Sequence, residues 1–203
     1  MKKVSLRLGV VVVLSLMALW LAGCASAPKE EIDATRAAVT AAQTDDVRTY
    51  APESVSEAEG TLNKAMAEIQ TQDDKFALSR DYKAASDLLK QAKDQAAKAA
   101  ADAAANKAKV KAEAEALIAG LTPTIDEAKK ALATAPKGKD TKAELEAMQN
   151  DLKSAEESSA AATQAMSQEK YQDALGQAKT AKEKADAIIE QVKAAKEKIR
   201  GRK

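Results

Sequence analysis

The sequence predicts an all-α fold: elongated antiparallel helical hairpins, or a coiled-coil-like bundle, with alanine-rich seams. Three observations predict it. Beyond residue 23 the chain carries 46 Ala, 24 Lys, 17 Glu, 10 Leu and 5 Arg, together 102 of 180 residues. That composition signals long helices when the apolar spacing agrees. The spacing does agree, because apolar positions recur at alternating steps of three and four. No segment alternates with the period of two that a half-buried strand requires.

The elements follow in order. Ala25, Ser26, Ala27, Pro28 and Lys29 read as a tether. Pro28 then leads into a helix whose first turn holds Glu30 and Glu31, and which is expected to run to about Val47. Pro52 interrupts it, since proline lacks an amide hydrogen and disfavours helix at the residue before it. The next helix places Val55, Ala58, Leu62, Ala65 and Ile69 in phase, with Phe76 following. A third runs from Tyr82 through Ala85, Leu89, Ala92, Ala96, Ala99 and Ala103 without a fault, then past Asn106, Val110 and Leu117. Gly120 and Pro123 are expected to end it. A short helix over residues 123–134 stops at Ala135-Pro136-Lys137-Gly138. Two more helices carry Leu145, Met148, Leu152, Ala155, Ser159, Ala162 and Met166, then Tyr171, Ala174, Ala178, Ala181, Ala185, Ile188, Val192, Ala195 and Ile199. Short turns at residues 79–81 and 167–170 make neighbours antiparallel. Alanine seams let helices approach closely, to about 8 Å, but bury little area per residue. High helix propensity must offset that deficit.

The N-terminus reads as an address. Lys2, Lys3 and Arg7 precede an apolar stretch of about 15 residues, short of the roughly 20 needed to span a bilayer. The tetrad Leu21-Ala22-Gly23-Cys24 that follows resembles the lipobox of bacterial lipoproteins. The resemblance implies cleavage between Gly23 and Cys24, diacylglycerol on the Cys24 sulfur, and acylation of the new amine. Two or three acyl chains anchor a protein stably without a spanning helix. Ala25 rather than Asp after the cysteine implies, by resemblance to Gram-negative lipoproteins, sorting to the outer membrane. The organisation expected is a signal peptide at 1–23, a tether at 24–29, a helical hairpin domain at 30–120, and a second hairpin unit at 121–203.

Tyr82, Ala85, Leu89 and Ala92 return 89 residues later as Tyr171, Ala174, Ala178 and Ala181. The pattern is similar to the second helix of a tetratricopeptide repeat, although the Trp-Leu-Gly-Tyr first helix and the period of 34 are both missing. The run Ala37-Ala38-Val39, Tyr50-Ala51-Pro52-Glu53, Ala58-Glu59, Leu62, Ala65, Asp81-Tyr82 resembles the uncharacterised Ala-rich helical domain of proteobacterial envelope lipoproteins. That resemblance spans residues 34–105 and implies location and architecture, not an activity.

Composition excludes most chemistry. With no His and one Cys, the chain cannot build an imidazole or thiolate metal site, nor Ser-His or Cys-His catalysis. The near-neutral charge balance argues against nucleic acid. Ser167-Gln168-Glu169-Lys170 fits the Ser-x-x-Lys of penicillin-binding enzymes but lacks their companion motifs, so Ser167 reads as a cap for the helix at Tyr171. Asp73-Asp74 and Glu156-Glu157 read as solvated faces rather than acid pairs, because adjacent helical residues point apart. Tyr50, Phe76, Tyr82 and Tyr171 read as turn packing rather than a ligand groove. The ending Arg202-Lys203 resembles that of murein lipoprotein, whose last lysine is joined to peptidoglycan. The expected function is a lipid-anchored, non-enzymatic envelope protein that faces the periplasm from the outer membrane. It would need no cofactor beyond the Cys24 lipid and would contact a protein partner not identified by the sequence. The alternative is a peptidoglycan tether through Lys203.

Overall fold

The computed structural model describes residues 26–137 and 141–201. Among them are six α-helices: α1 (Lys29–Ala41), α2 (Asp45–Tyr50), α3 (Pro52–Asp73), α4 (Lys83–Ala133), α5 (Lys142–Ser167) and α6 (Tyr171–Arg200). The described residues contain no strand. The all-α expectation holds. The chain divides into two compact units, residues 1–104 and 105–203, with the division inside α4.

In the first unit α1, α3 and the start of α4 enclose a core of Ile32, Ala65, Ile69, Tyr82, Ala85 and Leu89. A second cluster gathers Val39, Ala42, Ala58 and Ala96. Polar contacts fix the register. Tyr82 meets Asp73 at the turn, and the Ser54 hydroxyl donates to Asp102 at 2.9 Å far from it, so α3 and α4 are antiparallel. Arg36 beside Met66 and Gln43 beside Glu59 set α1 antiparallel to α3. Thr35, buried, donates to the Leu89 carbonyl at 3.3 Å and ties α1 to α4.

The second unit repeats this plan. Leu121, Ile125 and Ala128 of α4 pack with Met148 and Ala162 of α5 and with Ala178, Ala181, Ala185, Ile188 and Val192 of α6. Tyr171 lies beside Lys107 and Lys111, while Lys196 donates to Thr134 at 2.7 Å, so α4 and α6 run parallel. Lys184 paired with Asp151 and Lys129 paired with Glu156 hold α5 between them. Each unit is therefore an up-down-up trio whose third helix opens at a buried tyrosine.

Two helix boundaries differ from expectation. The first helix does not reach Val47. It stops at Ala41, and Thr44 caps a separate α2 by accepting the Val47 amide at 3.3 Å, with Asp45 and Asp46 in the first turn. Nor does α4 stop at Gly120; it runs through Gly120 and Pro123 to Ala133. An interior proline costs about 3 kcal/mol. Burying Leu121 and Ile125 stabilises by about 1.5–3 kcal/mol each, which outweighs it. The Thr124 hydroxyl donates to the Gly120 carbonyl at 2.9 Å, one turn back in the same helix.

Candidate functional site

Both tyrosine turns are built from the residues upward, by different means. At the first, α3 ends at Asp73, and Arg80 folds back to donate to the Asp73 carbonyl at 2.6 Å and to the Lys75 carbonyl at 3.0 Å. The first of these is a carbonyl that the helix end leaves without a partner. Buried Gln72 accepts the Asp81 amide at 3.0 Å, and Asp81 in turn accepts the Lys83 amide at 2.9 Å to start α4. The Tyr82 hydroxyl donates to Asp73 Oδ1 at 2.5 Å. That acceptor, with burial acting the same way, holds the Tyr82 phenol above its ordinary pKa, while Arg80 opposes the shift. Asp73 is thus the partner of Tyr82, not a side chain left wholly to water. Asp74 accepts from Gln70 at 3.0 Å.

The same turn projects Phe76 and Leu78, which are 75% and 72% exposed. Phe76 is not turn packing. The helical phase that would bury it ends at Asp73, and the 3₁₀ turn Ala77–Ser79 carries it outward. Tyr50, Tyr82 and Tyr171 are buried as expected, each 7% exposed.

At the second turn Ser167 does not cap α6. Its hydroxyl donates to the Gln164 carbonyl at 2.7 Å, inside its own helix. A Schellman closure does the work instead: the Lys170 amide bonds the Ala165 carbonyl at 3.0 Å and the Glu169 amide bonds Met166 at 3.1 Å. Glu169 takes φ 59°, a left-handed position where glycine is usual. Above the turn, the Tyr171 ring faces Lys111 Nζ at 5.6 Å and Lys107 Nζ at 5.9 Å, within cation–π range.

A third feature was not read from the sequence. Ala131, Ile189 and Val192 form the floor of a groove of about 310 Å³, rimmed by Lys193, Lys196, Glu197 and Arg200. The signal was available, because Lys193, Lys196 and Arg200 stand at i, i+3 and i+7 on one helix face. Glu156 bonds Lys129 across the bundle at 2.7 Å and Glu157 lies near Lys153, so the two acids serve separate ion pairs. Among the described residues no group of three acidic or cysteine side chains is placed to hold a metal. No helix there is long and apolar enough to cross a membrane. Gly23, Cys24 and Lys203 lie outside the described residues.

Residues 30–117 match the model of a domain of unknown function, DUF4398. The match takes in every described helix of the first unit and ends inside α4. No curated protein and no solved structure gives a significant match to the chain.

Proposed function

We propose that this chain is a lipid-anchored, non-enzymatic protein of the bacterial cell envelope, held on the periplasmic face of the outer membrane, whose helical trios are contact surfaces for envelope partners. The observation that carries the reading is the position of the one cysteine, Cys24. It closes a Leu-Ala-Gly-Cys tetrad directly behind a basic and apolar leader. Only a cysteine offers the sulfur that a thioether anchor needs. The trios supply support of a second kind: their alanine cores bring helices close, and the tyrosine-clasped turn at residues 73–82 presents Phe76 and Leu78 outward. Exposed large apolar side chains on an ordered turn suit contact with another molecule.

The test is fatty-acid labelling in a bacterial host. The parent chain should incorporate label and migrate at the mature size, while Cys24→Ser should remain unprocessed and unlabelled. A labelled, mature-sized Cys24→Ser protein sinks the proposal.

A further inference from the structure

We propose that the C-terminal end of α6 is a second membrane contact, docking the basic groove of the second unit on an anionic phospholipid surface. The charge distribution is the first argument. Residues 105–192 carry 13 basic and 15 acidic side chains, whereas residues 193–201 carry four basic and one acidic. The excess cation of this unit is therefore gathered at one end. Only Lys198 and Arg200 stand in the last turn, where a cation answers the helix dipole; Lys193 and Lys196 lie further back, beyond its reach.

Geometry is the second argument. Lys193, Lys196 and Arg200, with Glu197 the one acid on the rim, border an apolar floor of Ala131, Ile189 and Val192. Lys196 is steadied by Thr134, a neutral hydroxyl that leaves its charge unspent. Lys193 has Glu190 only at 3.9 Å, with both side chains largely exposed. The α6 seam also outlasts its cover: Val192 is buried, yet Ile199, two turns on, is 45% exposed between Lys198 and Arg200. An apolar strip edged by long cationic side chains matches the boundary between headgroups and acyl chains, where lysine and arginine stems lie on hydrocarbon while their heads reach phosphate. A nucleic acid would call for stacking side chains as well. The one aromatic residue of this unit, Tyr171, is buried at the start of α6.

The docking does not need the Cys24 lipid, so the two proposals fail separately. The chain from Ala25 onward, which contains every described helix, is sedimented with vesicles. One set is pure phosphatidylcholine and the other contains about one-third phosphatidylglycerol. Binding should require the anionic lipid and fall steeply as salt rises. Each basic residue near such a surface contributes about fivefold. Lys193→Gln/Lys196→Gln/Arg200→Gln should therefore weaken binding by about 100-fold, and Ile199→Ser by severalfold. Lys193→Arg/Lys196→Arg should bind like the parent. If the glutamine variant melts early, the salt series on the unaltered chain decides. Equal binding to neutral vesicles overturns the proposal, as does salt-insensitive binding. So does co-sedimentation with purified peptidoglycan but not with anionic vesicles.

Discussion

The two tyrosine turns occupy equivalent places in two helical trios, and they use the same residue differently. Tyr82 is held by its hydroxyl, which donates to Asp73 inside a turn stitched by Arg80, Gln72 and Asp81. Tyr171 is held by its ring, faced by Lys107 and Lys111 above a turn closed by a pair of backbone bonds. What the repeat preserves is a large side chain opening the third helix. In cores made mostly of alanine, one ring supplies an outsized share of buried area. The polar tip is free to be used or left idle according to what the turn before it provides.

The largest effect tests what the turns share. Tyr82→Ala and Tyr171→Ala should each destabilise by about 2–4 kcal/mol, read by denaturant or thermal unfolding. A variant that melts like the parent would show that one ring is ornamental and break the equivalence. A smaller effect tests how they differ. Tyr82→Phe should lower the melting temperature by roughly 3 °C, and Tyr171→Phe should leave it unchanged. Asp73→Ala should cost as much as Tyr82→Phe, and the double variant no more than either. The pH dependence carries a sign. Asp73 raises the folded-state value of the Tyr82 phenol above 10.0, so its contribution is complete below that pH. It fades as pH climbs through the folded value. Ultraviolet titration should find one phenol ionising later than in Tyr82→Phe. The smallest effect concerns the second turn alone. Glu169→Gly should stabilise by about 0.5–1 kcal/mol, because glycine takes φ 59° without side-chain strain. A loss of stability there would mean that the Glu169 side chain earns its strained backbone.

How much was legible follows from which forces act. The α4 seam from Tyr82 to Ala103 was readable residue by residue, because burial there repeats with the helix period and all seven positions are buried. The matched positions Ala174, Ala178 and Ala181 are likewise fully buried. Local punctuation was less reliable. Gly120 and Pro123 looked like a stop, but a stop is worth only a few kcal/mol, and the core around Leu121 and Ile125 overrides it. Thr44-Asp45-Asp46 has the composition of a helix start, yet residues 30–47 hold no Gly or Pro to mark the break before it. Phe76 kept the apolar phase on paper after the helix had ended. The bond from Tyr82 to Asp73 and the groove below Lys193 join residues on different elements or across a turn. No spacing rule along one helix announces them.

Alanine has no rotamers, so a seam of alanines can close a gap without recording which gap it closed. Slid along its neighbour by a turn or two, such a helix meets more alanine and loses little. Beside the polar contacts and the two tyrosines, the information that sets one alignment apart from the next therefore sits in the few large core side chains, with Leu89, Leu121, Ile188 and Val192 all but wholly buried. They act as the notches of a key whose shaft is otherwise smooth. A sequence drifting in its solvent-facing lysines and glutamates would keep its helices, but one that lost these four to alanine would keep helices aligned only by the tyrosines and a few polar contacts.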